Sequence, residues 1–243
     1  MNARLPNSAN NYLGAFKRVS DILPGHNLGW LRLAREAAIE RFANSGFPTQ
    51  RDEDWKYTSV AAIENTRFNL LPEPQYDLLA SQVAAQALPD AHLLVFVNGF
   101  LDPGLSRLGR LPPGTTLGSL GYMLEQHPDR LEEVLVVDNA DSAFSDLNLA
   151  FMTDGAYVLL PPGATIKAPV QLFFIASEAD LAIQPRNLVL AAAGSSATII
   201  EHHMAARENS YFTHAVTDIV LGPGASIEHH KLQQESPTAF HIA

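Results

Sequence analysis

Apolar and polar positions follow two different rhythms along this chain. From Leu28 to Phe42, the residues Trp30, Leu31, Ala34, Ala37, Ala38 and Phe42 recur near helical spacing, which predicts an amphipathic helix. Gly46 and Pro48 predict its end. Tyr76, Leu79 and Val83 predict a second helix from Tyr76 to Ala87. The apolar run Leu93–Val97, closed by Asn98-Gly99, predicts a short strand and a tight turn. Further helices are expected over Leu117–Gln126 and around Ser142–Met152, whereas residues 1–27 read as polar and irregular. From Asp154-Gly155 onward the pattern is that of strands and turns.

Within that second part the chain repeats itself. Ile200-Glu201-His202-His203 returns as Ile227-Glu228-His229-His230, 27 residues later. Each copy follows a small-residue turn, beginning at Gly194 and Gly222, and an earlier turn runs from Pro161 to Ile166. The apolar strands before these turns are Val158-Leu159-Leu160, Leu188-Val189-Leu190 and Ile219-Val220-Leu221. Repeats of this length signal stacked units that bury their faces against their neighbours. A sandwich would show evenly spaced hairpins. The blocks here recur at about one coil of a wide parallel β-helix, and no six-residue period is visible. The expected fold is therefore mainly β, with a helical or mixed region over residues 1–140 and the first coils of a parallel β-helix over 141–243, ending in mid-repeat.

Charge divides the chain the same way. Residues 1–150 carry 12 Lys+Arg and 18 Asp+Glu, against 4 and 8 in residues 151–243. The net charge of -10 argues against a nucleic-acid partner, which needs a basic surface. No run reaches the roughly 20 apolar residues that cross a bilayer. The N-terminal residues lack the apolar core of a signal peptide. The absence of cysteine excludes disulfides, Cys nucleophiles and thiolate ligands. A cytoplasmic chain without membrane contact is expected.

Candidate chemistry concentrates near the end, where six of the nine histidines fall. His202, His203, His229 and His230 are candidate metal ligands, because stacking of the repeats would bring His202 near His229 and His203 near His230. Adjacent strand residues point to opposite faces, so His202 and His203 cannot share one ion. With no third ligand evident, a polar ladder on the outside of the coil is the preferred reading. Glu201 and Glu228 could form the carboxylate pair of a sugar-cleaving β-helix, but again a ladder is preferred. A cupin-like metalloenzyme on a β-sandwich, using Gly194, His202, His203 and Glu208, is the alternative. It departs from the usual His-x-His pair. Phosphate-binding glycine loops and a Gly-x-Ser-x-Gly elbow are absent, so ATP chemistry would have to come from a partner. The block Arg51–Thr58 reads as a helix start with Asp52, Glu53 and Asp54 near its N-terminus and Trp55 buried, in preference to a docking patch.

Several of these segments together resemble the SufB/SufD family of iron–sulfur cluster assembly proteins. They are Arg51–Thr58, Val95-Phe96-Val97-Asn98-Gly99, Leu111-Pro112-Pro113-Gly114, Phe144–Ala150, Asp154-Gly155, Pro161-Pro162-Gly163, Ala168-Pro169-Val170, His230–Ser236 and Ala239-Phe240-His241-Ile242. They run in order from about residue 28 to the end. The resemblance implies a helical N-terminal region followed by a right-handed parallel β-helix, incomplete here. It also implies a scaffold rather than an enzyme, a SufB-like partner, a SufC-like ATPase and an iron–sulfur cluster passing through the full complex. A chain without cysteine matches the SufD-like member of such a pair and binds no cofactor alone. Members of the family continue beyond this length, so the chain is expected to be a fragment. The exposed end of a coil stack would favour self-association, and a homodimer is possible.

Overall fold

The computed structural model describes residues 7–71, 80–135 and 142–243. Its helices, in chain order, are α1 (Asn7–Val19), α2 (Gly29–Ser45), α3 (Ala61–Asn65), α4 (Ala80–Gln86), α5 (Leu120–Gln126), α6 (Glu132–Leu135) and α7 (Ala143–Phe151). Helix α2 matches the predicted one and ends where Gly46 adopts a positive φ. The expected irregular start instead holds α1. Its apolar positions Ala9, Tyr12, Leu13, Phe16 and Val19 keep three- and four-residue spacing among polar neighbours, and they pack with Phe42, Phe47 and Phe151. Edge-to-face aromatic contacts join the layer, with Tyr12 and Phe42 rings 5.5 Å apart and Phe42 and Phe47 rings 5.1 Å apart. Arg35 is buried within α2 and donates to the carbonyls of Pro24 and Met152, both at 2.9 Å. It thereby ties a loop and the end of α7 to one helix.

Two expectations in this part change. The block Arg51–Thr58 does start a helical turn with Asp52 at its N-cap and Glu53 and Asp54 in its first turn, but the turn is short and Trp55 is not fully buried. The block forms a short 3-10 turn, Glu53–Trp55, in which Asp52 accepts a hydrogen bond from the Thr49 N–H. Trp55 is half-buried against the Phe144 ring, 5.2 Å away, and Tyr57 is exposed. Residues 117–119 are strand, because this stretch pairs with a neighbour, and the helix begins only at Leu120, capped by the Ser119 hydroxyl. Of the helix expected from Tyr76 to Ala87, α4 covers the later turns, and Tyr76 and Leu79 lie outside the described residues.

The strands are β1 (His92–Val97), β2 (Phe100–Leu101), β3 (Thr116–Ser119), β4 (Ala156–Leu160), β5 (Val170–Ala176), β6 (Ala182–Ile183), β7 (Arg186–Ala191), β8 (Ser196–Ala205), β9 (Phe212–His214), β10 (Val216–Leu221), β11 (Ser226–Gln234) and β12 (Phe240–Ile242). They form three sheets, ordered β11-β8-β5-β1-β2, β10-β7-β4-β3 and β12-β9-β6. Among the strand pairs of the described residues, only the β1–β2 hairpin, turned by Asn98-Gly99 at positive φ, and the β3–β4 pair are antiparallel. From β4 on, the chain visits the three sheets in rotation, adding each strand in parallel to its predecessor in the same sheet. The fold is mixed α/β, with sheets rich in parallel pairs, and helices hold a larger share than a mainly β chain implies. Parallel sheets need both faces covered. Val83 and Ala87, from α4 and just beyond it, pack with Val95 and Phe173 on one face, while Phe212 and Phe240 lie against the helical layer.

The faces that turn toward one another inside the stack change character along it. At β5 the inner residues are Val170, Leu172 and Phe174, which pack with Val158 and Val189 across the interior, and Phe174 stacks on Phe96 at 4.8 Å. Each large apolar side chain fully buried there contributes about 1.5–3 kcal/mol. One strand further, the residues in register are Ile199, Glu201 and His203, and beyond them come His229, Lys231 and Gln233. The interior therefore passes from apolar to polar over two coils.

Candidate functional site

The register corrects the expected histidine pairing. The similar segments lie 27 residues apart in sequence, but Leu232 faces His202 and Gln233 faces His203, a 30-residue offset. Turn positions such as Gly194 and Gly224, both at positive φ, stack on each other and set this spacing. His229 accordingly pairs with Ile199, and His230 with Ile200. The expected ladder of histidines on the outside of the coil changes as well, because His203 lies on the inner face and His202, on the outer face, is buried.

The four histidines occupy different surroundings. His202, on the outer face, stacks on Phe173 at 4.5 Å between the side chains of Gln171 (3.1 Å) and Gln234 (2.8 Å). His203, on the inner face, stacks on Phe174 at 4.8 Å, and its Nε2 lies 2.7 Å from Glu201 Oε1. His229 reaches the other oxygen of Glu201 at 3.2 Å. His230 is exposed and bonds to Glu228 at 2.8 Å.

Glu201 is thus the centre of a buried network. Its carboxylate also accepts from the Thr217 hydroxyl at 2.8 Å and lies 3.7 Å from the Lys231 ammonium. Thr217 in turn accepts from Asn187, whose carbonyl oxygen receives the Ala156 N–H, so the network crosses to the second sheet. Burial alone would push the Glu201 carboxyl up. Hydrogen bonds from His203 and His229, with the charge of Lys231, outweigh it and hold the group far below the usual carboxylate range. Burial pushes the His203 imidazole down despite the hydrogen bond and charge of Glu201.

Next to this network lies a second group that sequence reasoning did not single out. Glu235 accepts from the Thr213 hydroxyl at 2.7 Å and contacts His241 Nδ1 at 2.6 Å. Hydrogen bonds from His241 and Thr213 keep its carboxyl low against the upward push of burial. The His241 ring stands edge-on to His203, with centroids 4.8 Å apart. Period-2 reading could have placed Glu201 with His203, and His229 with Lys231, on one face each. Nothing local marks Glu235 or His241, which arrive from the following turn and from the third sheet. Glu201 and Glu228 do not form a carboxylate pair. Glu228 is exposed and bonds to Thr198 and His230.

Below this layer, His214 is fully buried beside Phe144 and Phe212. Burial, with Arg186 and His241 nearby, pushes its imidazole down to about 3. Burial lowers His92, His202 and His203 as well. An unfolded histidine titrates near 6.5, so between these limits the unfolded chain takes up protons that the folded chain refuses. Stability should be fully present above about pH 6.5 and fall as pH drops below it, for His214 toward 3 and by up to about 1.4 kcal/mol per pH unit. Asp154, raised by burial, opposes this only near the carboxylate range. Urea denaturation at pH 7.5, 6.0 and 5.0 measures the slope, and a flat profile would contradict the burial of neutral histidines.

The cupin-like arrangement is overturned by the strand directions. A cupin sandwich is antiparallel, whereas β5, β8 and β11 are joined in parallel. Among the described residues, no helix is long and apolar enough to cross a membrane.

Comparison with known proteins places this architecture. A family model of the SufBD protein N-terminal region matches residues 6–172, and one of the SUF system FeS cluster assembly SufBD core domain matches residues 173–243. The chain is 31% identical to an iron–sulfur cluster assembly SufBD family protein of Synechocystis sp. over 222 residues, covering 86% of this chain and 49% of that protein. It is 28% identical to the iron–sulfur cluster assembly protein SufD of Escherichia coli, covering 84% and 47%. It is also 22% identical to the chloroplastic protein ABCI7 of Arabidopsis thaliana, covering 87% and 46%. The chain spans about half the length of these curated relatives. With both family models matched in order along residues 6–243, the chain belongs to the SufBD family of iron–sulfur cluster assembly proteins.

Proposed function

We propose that this chain is a SufD-like scaffold subunit of a cytoplasmic iron–sulfur cluster assembly complex, with no catalytic role of its own. The ordered match to both family models along residues 6–243 carries the reading. Similarity to the Escherichia coli protein named SufD and the absence of thiolate ligands favour the SufD-like role. In this reading the three parallel sheets are the first coils of a right-handed parallel β-helix, the helical part up to about residue 140 covers its beginning, and the stack holds partner surfaces rigidly. A SufB-like subunit pairs with the intact protein, and a SufC-like ATPase supplies the energy for rearrangement. The cluster is cargo of the complex, and this chain alone holds no cofactor for it. A homodimer is the alternative pairing.

Affinity capture of the tagged chain from its source cell tests the proposal. Recovery of a second SufBD-type subunit with an ATPase is the expected result, together with lower iron–sulfur enzyme activity when the gene is deleted. Capture of neither partner, with iron–sulfur enzymes unaffected by the deletion, would overturn it.

A further inference from the structure

We propose that His203, Glu235 and His241 form a binding site for one divalent transition-metal ion of the zinc or ferrous class, inside the sheet stack. One nitrogen from each ring and one carboxylate oxygen lie within 4.8 Å of one another. The residues come from three separate places, namely β8, the turn after β11, and β12, so the tertiary register alone brings them together.

The surroundings match a cation. Two buried carboxylates, Glu201 and Glu235, lie in the cluster, where a cation is favoured, and among the described residues the one ammonium recorded against them is Lys231, 3.7 Å from Glu201. Two of the three protein ligands are already held by a neighbour outside the site. Glu201 grips one nitrogen of His203, and the Thr213 hydroxyl fixes Glu235. Such partners orient ligands and raise their basicity. The Nε2 of His241 is buried and has no hydrogen-bond partner, an otherwise costly arrangement. Two imidazoles and one carboxylate, with no thiolate, select a borderline ion over calcium or magnesium, and three protein ligands leave a position open for water. The site concerns a single ion held by nitrogen and oxygen, and it stands or falls independently of the assembly role.

The test is zinc and cobalt titration of the chelator-stripped chain, followed by metal analysis after dialysis. One equivalent is expected to bind. Affinity should fall more than about tenfold in Glu235→Gln and in His241→Gln, beyond the smallest effect expected even for a residue that only orients a ligand. His230→Ala, on the exposed outer face, should bind like the parent. No stoichiometric binding by the parent, or parent-like binding by both folded variants, would overturn the site. Should a variant fail to fold, imidazole NMR of the parent decides. Zinc must shift the His203 and His241 resonances and leave those of His26 and His127 in place, and the opposite pattern refutes the proposal.

Discussion

Gly155→Ala is expected to give no folded protein. Gly155 precedes β4, and a Cβ at this position would lie 2.0 Å from the Arg186 carbonyl oxygen, 2.6 Å from its carbon and 2.8 Å from the Arg186 nitrogen. All three are backbone atoms of β7, so no side chain can move aside. The Gly155 φ of 156° adds to the demand for glycine. The preceding Asp154 is anchored on the other side, where its buried carboxylate accepts from the N–H groups of Leu101, Gly121 and Gly155 and from the Ser119 hydroxyl. Separating β4 from β7 would break the ladder between them, including the bond from the Arg186 N–H to the Asp154 carbonyl, and open the apolar interior. The cost should exceed about 4 kcal/mol, against a total stability of about 5–15 kcal/mol for a typical domain. Soluble yield and circular dichroism check this. Gly118→Ala is the control, because its added Cβ meets nothing within 4 Å. Equal, native-like spectra for both variants would show that the approach is not structural.

Glu201→Ala is expected to destabilise the chain by roughly 3–5 kcal/mol, the range for removing one partner of a buried ionic group. The loss leaves His203, His229 and Thr217 without their acceptor and Lys231 without its counter-charge. Glu201→Gln keeps an acceptor of the same shape and loses the charge, so it should cost less, about 1–3 kcal/mol. Urea denaturation at pH 7.5 measures both. If the alanine variant lost less than the glutamine variant, the network would be incidental to stability. Glu228→Ala, at an exposed position, should change little.

How far these sites can be read in the sequence differs. Gly155 stands where the chain changes from helical spacing to strand and turn, which marks a boundary but not the β7 backbone beside it. Glu201 and the paired histidines stand out as a repeated phrase, yet the phrase misleads. The chain repeats it at 27 residues, while hydrogen bonding aligns the strands at 30, with the glycine turns stacked. A three-residue shift in a period-2 structure exchanges the faces. That is why Glu201 meets Lys231 and not Glu228. In α1, three asparagines and a serine among the apolar positions hid a helix, because its stability comes from packing on α2 and α7 and not from propensity.

The sequence by itself determined the local elements and the membership. Helical spacing specified α2 and α7, the Asn98-Gly99 turn specified the first hairpin, the small-residue turns specified stacked parallel strands, and the ordered motifs specified the family. These features rest on neighbours within a few residues, or on patterns that repeat. Only the tertiary structure decided the register between strands and, through it, which side chains share the interior. His203, Glu235 and His241 meet because three separate strands and turns converge there. No local rule links residues that lie more than 30 positions apart until backbone hydrogen bonds and turn stacking set their alignment.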